Sequence, residues 1–248
     1  MTKPFASEYP QPTAKDRIIV ALDVSTADEA RTIVRELRDE VGGFKVGSQL
    51  FTAAGPGLVR ELADAGARIF LDLKFHDIPN TVAKAAVEAA RLGVWMLNVH
   101  ILGGREMMRR TVDEVRVVCE KEGITRPLVV GVTILTSTSE NELREVGIDG
   151  DLRPEVERLA RLANECGLDG VVASPQEAAL VRNAVAKTDF AIVTPGIRPF
   201  SATKDDQKRV TTFMQAVENG SDYVVIGRPI VQSVDRITSV RQIIGEVE

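Results

Sequence analysis

The sequence predicts an α/β protein, a closed TIM (β/α)8 barrel built as a single domain. Two patterns and the chain length lead there. Short β-branched apolar runs alternate with longer segments of helical periodicity, and the alternation repeats eight times from Arg17 onward. Strict strand–helix alternation implies parallel strands joined by crossover helices. Eight such units in 248 residues suit a closed barrel. An open doubly wound sheet is the alternative architecture, but no G-x-G-x-x-G follows the first strand to support it.

The expected strands are Ile18 to Leu22, Gly43 to Val46, Arg68 to Leu73, Val94 to Val99, Leu128 to Thr133, Gly170 to Ala173, Phe190 to Val193 and Tyr223 to Ile226. The expected helices are Thr26 to Glu40, Gly57 to Ala65, Thr81 to Leu92, Gly104 to Lys121, Pro154 to Glu165, Pro175 to Ala186, Asp206 to Asn219 and Pro229 to Ile244. Ser25 or Thr26 can cap the first helix, with Asp28 and Glu29 in the turn where the helix dipole favours negative charge. Gly66, Gly93, Gly123, Gly167 and Gly220 each follow a helical segment, where a left-handed cap suits glycine. Pro154, Pro175 and Pro229 stand where a first-turn proline is tolerated. Residues 1–16 read as an N-terminal arm.

Composition narrows the function classes. With 44% apolar and 27% charged residues the chain is ordinary for a folded soluble protein. A net charge of -5 with no long basic run argues against a nucleic-acid surface, though a small anion needs only a few local cations. Cys119 and Cys166 belong to no ligand or C-x-x-C pattern, so they read as buried thiols in a reducing cytoplasm. His76 and His100 lack carboxylates or cysteines at metal-ligand spacing, so no metal site is expected and a hydrogen-bonding role is. No apolar run has the length of a membrane span, and the N-terminus with Pro4, Pro10 and Pro12 is unlike a signal peptide. Trp95 and Met96 read as packing residues.

In a barrel, chemistry gathers where the strands end. The first strand ends in Asp23, the second holds Lys45 before Gly47, the third ends in Asp72 and Lys74, and the fourth in Asn98 and His100. Thr136 and Ser137 follow the fifth, Gly196 and Arg198 the seventh, and Gly227 and Arg228 the eighth. The last two ends look like a phosphate grip. Glycines there permit close backbone approach, the arginines offer forked donors, and Gln207 could add an amide. Lys204, Lys208 and Arg209 read as solvated charges near that mouth.

The most informative stretch runs from Leu71 to Thr81. Strand alternation sets Asp72 and Lys74 on one face, two positions apart. Opposite charge beside Lys74 favours its ammonium form, which suits a proton donor and electrostatic stabiliser better than a Schiff-base nucleophile. Asp77 follows three residues later, placed to approach the lysine from its own loop or to be carried toward a neighbouring chain; spacing leaves both open.

From Asp72 through Leu73-Lys74-Phe75-His76-Asp77-Ile78-Pro79-Asn80 to Thr81, the chain resembles the signature of the orotidine 5'-phosphate decarboxylase family, most closely its bacterial form. Ala21-Leu22-Asp23, Phe44-Lys45-Val46-Gly47, Leu135-Thr136-Ser137, Pro195-Gly196-Ile197-Arg198 and Gly227-Arg228-Pro229 support the resemblance, which spans Ile18 to about Arg236. It implies a cofactor-free, metal-free cytoplasmic homodimer that converts orotidine monophosphate to uridine monophosphate in pyrimidine biosynthesis. By the resemblance, Lys45, Asp72, Lys74 and Asp77 form a charged array with Lys74 as proton donor, and Asp77 arrives with Thr81 from the partner chain. Asp23 and Lys45 would hold the ribose, Thr136 would contact it or the loop beside it, and Ser137 would lie close to the base. Arg198, Gln207, Gly227 and Arg228 would bind phosphate.

Two other readings compete. Magnesium-dependent sugar-phosphate decarboxylases and aldolases of the same superfamily share the D-x-K-x-x-D pattern, but the Lys45 ammonium is a poor neighbour for a cation. A catalytically silent nucleotide-phosphate binding barrel would need no acid–lysine array.

Overall fold

The computed structural model describes residues 13–196 and 211–245. Its centre is a closed barrel of eight parallel strands in sequence order: β1 (Ile18–Ala21), β2 (Gly43–Gly47), β3 (Ile69–Phe75), β4 (Met96–His100), β5 (Leu128–Val132), β6 (Gly170–Val172), β7 (Ala191–Pro195) and β8 (Tyr223–Ile226). Closure comes from β1 pairing with β8, with Ile19 opposite Val225. The expected barrel is therefore the fold.

Helices cover the outside: α1 (Ala27–Leu37), α2 (Ser48–Asp64), α3 (Pro79–Arg91), α4 (Gly104–Glu122), α5 (Glu140–Glu145), α6 (Leu152–Glu165), α7 (Ala178–Ala184), α8 (Phe213–Glu218), α9 (Arg228–Val231) and α10 (Arg236–Gly245). Thr26 caps α1 by accepting a hydrogen bond from the Glu29 backbone N–H at 3.3 Å. All five glycines expected to cap helices have positive φ.

Four helical boundaries differ from the sequence expectation. The helix after β2 starts at Ser48, directly after the strand, and breaks at Gly55 (φ 71°) before Pro56, so only its second half was expected. A short helix, α5, precedes α6, closed by a reciprocal capping box between Ser139 and Glu142. Pro175 lies in a turn before α7 rather than in it. The final helix is two, α9 and α10, parted by a turn at 232–235. The first part of the expected Asp206 to Asn219 helix lies outside the described residues.

Alternation along the strands sorts the core into two layers. Ile18, Val20, Leu71, Leu97 and Ile192 join the larger cluster between barrel and helices. Ile19, Ala21, Phe70, Met96, Val130, Val193 and Val225 fill the barrel itself. At the N-terminal strand ends, Trp95 packs edge-on against Tyr223 at 5.0 Å, with the Arg68 guanidinium 3.9 Å above its ring.

Charges at that same end hold strands together. Asp169 accepts from the Val129 backbone N–H at 2.7 Å while pairing with Arg126 at 2.9 Å, and Asp222 does the same with Ile192 and Arg182. Such contacts on the lower face stabilise the fold. Above the inner apolar layer, at the opposite, C-terminal mouth, the next inward positions of the first four strands are Asp23, Lys45, Asp72 and Asn98.

Two glycines show how tightly the barrel is drawn. A methyl at Gly170 would stand 2.1 Å from the Ala191 backbone oxygen of the neighbouring strand, whereas one at Gly131 would meet only the side chains of Ile101 and Leu168. Backbone cannot yield as side chains can. Gly170→Ala is expected to lose about 2 kcal/mol or more in urea unfolding, and more than Gly131→Ala; equal losses would contradict the reading.

Candidate active site

At the C-terminal mouth, three strands deliver one charged network. The Asp72 carboxylate lies at its centre, with its side chain only 11% exposed. Lys74 Nζ donates to Asp72 Oδ1 at 2.6 Å, and Lys45 Nζ lies 3.3 Å from Oδ2. Lys45 also donates to Asp23 Oδ1 at 3.2 Å, so it bridges the ends of β1 and β3. Removing these charges from water is unfavourable unless each meets a partner. Here the buried carboxylate faces two ammonium groups, leaving a local surplus of positive charge before the exposed Asp23 is counted.

The lysine reaches this position through an irregular strand. Leu71 pairs with Leu97 and Phe75 with Val99, so Asp72, Leu73 and Lys74 together oppose Asn98 alone. This bulge forces Lys74 to φ 50°, the one positive value on a non-glycine among the described residues. Asn98, fully buried, fills the opening. Its Oδ1 accepts from the Lys74 backbone N–H at 2.8 Å, and its Nδ2 donates to Asp72 Oδ1 at 2.7 Å. The sequence marked Asn98 only as a strand end; a buried amide beside two charged inward positions was the signal available.

The other expected residues fall around the same mouth with fewer contacts. Gly227 lies against the network, since a methyl there would meet Asp23 Oδ2 at 3.5 Å. Arg228 follows as the exposed first residue of α9. Thr136 and Ser137 are exposed in the turn after β5, where the Thr138 N–H donates to the Leu135 carbonyl at 2.9 Å. Asp77 and Thr81 are exposed at the entry to α3, and neither is hydrogen-bonded to Asp72, Lys74 or Lys45 within the chain among the described residues. Asp77 Oδ1 instead accepts from the Ile78 N–H at 2.6 Å. Arg198 and Gln207 lie outside the described residues, as do Lys204, Lys208 and Arg209.

The geometry now has a counterpart among known proteins. Residues 16–243 match the Orotidine 5'-phosphate decarboxylase / HUMPS family. The chain belongs to this family. A relative from Syntrophotalea carbinolica named "Orotidine 5'-phosphate decarboxylase" is 54% identical, covering 94% of this chain and 96% of that one. One of the same name from Syntrophomonas wolfei is 50% identical over 95% and 99% of the two chains. The crystal structure of orotidine 5'-phosphate decarboxylase from Lactobacillus acidophilus is also similar, with a TM-score of 0.81, 37% identity and coverage of 92% and 97%. The matched residues, 16–243, contain the barrel strands and the Asp23–Lys45–Asp72–Lys74 network. No helix among the described residues is long and apolar enough to cross a membrane.

The histidines differ from expectation. His76 and His100 pack ring against ring at 5.4 Å, and His100 Nδ1 is buried with no hydrogen-bond partner among the described residues. Ring packing takes the place of the expected polar contact. Burial holds the His100 imidazole below its ordinary value, nearby His76 and Lys74 add to this, and Asp72 opposes it. As pH falls below about 6.5 the unfolded chain therefore binds a proton that folded His100 resists, and stability is lost in that direction. Between about pH 7.5 and about pH 5.5, the wild-type Tm should fall further than that of His100→Gln. Parallel Tm curves would contradict this assignment.

Proposed function

We propose that this chain decarboxylates orotidine 5'-phosphate to uridine 5'-phosphate without a cofactor, as a step of pyrimidine biosynthesis in the cytoplasm. The observation that carries the reading is the Asp23–Lys45–Asp72–Lys74 network at the barrel mouth. Burying ion pairs adds little net stability, so a purely binding barrel gains little by building it.

The chemistry asks for such a network. When the bond from C6 to the carboxylate breaks, carbon dioxide leaves and the electron pair stays on C6, in the plane of the ring and out of reach of its π system. Charge of that kind must be met by fixed opposite charge. The Lys74 ammonium stabilises the pair and transfers its proton to C6, and the resulting amine takes a proton back from water. Asp72 holds Lys74 in place and stands near the departing carboxylate. Asp23 and Lys45 hold the ribose hydroxyls, with Thr136 and Ser137 on the loop beside them.

Gly227 and Arg228, with Arg198 and Gln207, bind the phosphate. Its binding energy helps order the site around the reacting ring. The working unit is a homodimer, in which Asp77 and Thr81 of a second copy complete the array around Lys74. Two features support that arrangement: Asp77 makes no ion pair with Lys74 inside its own chain among the described residues, and Ile78 beside it is 65% exposed. The magnesium-dependent branch fits less well, because Lys45 Nζ already stands between Asp23 and Asp72, where a cation would meet like charge.

Metal-stripped protein in EDTA should convert orotidine monophosphate in a spectrophotometric assay. Lys74→Ala should lose about 1,000-fold or more of kcat while still binding uridine monophosphate. Activity that EDTA abolishes and magnesium restores would move the chain to the sugar-phosphate branch. Binding of uridine monophosphate with no change in the orotidine spectrum would leave a silent binding barrel.

A further inference from the structure

We infer that Asn98 is a positioning residue for this chemistry: it locks the bulged turn that aims Lys74 and donates to the Asp72 carboxylate beside Lys74. The inference rests on the function proposed above. Asn98 opposes three residues of β3, so the Lys74 backbone N–H has lost its regular partner across the sheet. An unpaired N–H in this part-buried place is unfavourable, and φ 50° is unfavourable for any side chain that carries a Cβ. Strained turns persist where neighbours over-determine them. Asn98 Oδ1, at 2.8 Å from that nitrogen, is the group that does so.

The same side chain acts on the carboxylate. Asp72 Oδ1 receives Lys74 Nζ at 2.6 Å and Asn98 Nδ2 at 2.7 Å, while Oδ2 faces Lys45 at 3.3 Å. With two donors on Oδ1 and the Lys45 ion pair at Oδ2, the carboxylate cannot rotate without losing a contact. The task needs one short side chain that accepts from a backbone N–H and donates to a carboxylate. Among side chains of this length, only the amide does both. Ionised aspartate would keep the acceptor and lose the donor, setting a second carboxylate against Asp72; alanine would lose both.

Kinetics of Asn98→Ala and Asn98→Asp, with amide hydrogen exchange at Lys74, test the inference. Both variants should lose about 100-fold in kcat with KM changed by less than about 3-fold, because a small misplacement of the reacting group acts on turnover more than on binding. Exchange at the Lys74 amide should quicken in Asn98→Ala and stay slow in Asn98→Asp. In Asn98→Asp two carboxylates would repel each other and take up a proton more readily as pH falls, so the acidic limb of the kcat/KM profile should move to higher pH.

Variants that lose Tm but keep kcat per folded molecule, with the acidic limb in place, would overturn the inference. Should Asn98→Ala fail to fold, the near-isosteric Asn98→Asp still reads the kcat loss and the limb. An inactive wild type would defeat the proposed function, and the Lys74 exchange rates would then decide separately whether Asn98 holds the turn. Unchanged exchange in Asn98→Ala would show that it does not.

Discussion

The Asp72 carboxylate accepts hydrogen bonds from the Lys74 ammonium and the Asn98 amide and forms an ion pair with Lys45 at the mouth of the barrel, and the site around it depends on keeping those contacts fixed. A carboxylate buried this far needs every oxygen occupied. Its partners come from three different strands: Lys45 from β2, Lys74 from β3 itself, and Asn98 from β4. Neighbouring parallel strands set their three ends side by side, and closure of the barrel turns the shared face inward. The apolar layer of Ile19, Phe70, Met96 and Val225 beneath them sets the floor on which the charges stand.

The network is a poor device for stability and a good one for orientation. Ion pairs removed from water return little net free energy, while the loss of one partner strands the other. What the arrangement provides is a cation whose position is set before any substrate arrives, which is what the proposed reaction asks of it. The barrel separates this task from its own maintenance. Asp169 with Arg126 and Asp222 with Arg182, at the opposite end, use the same chemical groups to tie neighbouring strands together.

Much of this was legible in the sequence because it is local. The β-branched runs gave the strands to within two or three residues, and the strand-end positions of Asp23, Lys45, Asp72 and Lys74 gave the network. What could not be read depended on partners elsewhere in the chain. Strict alternation puts Asp72 and Lys74 on one face but says nothing of a bulge, whose existence depends on the register of β4. Asn98 gains its meaning only from that register. The first half of α2 was hidden because Gly55 and Pro56 look like a loop, although a kinked helix accommodates both. The Asp77 side chain remains ambiguous from spacing because its reach depends on whether it serves its own chain, and among the described residues of that chain it bonds only to the Ile78 N–H.

In the proposed reaction the Lys74 ammonium meets an electron pair at C6. A step that delivers a proton to carbon must, run backwards, remove one. Incubation of uridine monophosphate with the protein in heavy water, followed by proton NMR of the C6 position, measures this without any carboxylate in play. The C6 hydrogen should exchange for deuterium with the wild type and persist with Lys74→Ala. Exchange that proceeds equally well without Lys74 would contradict it.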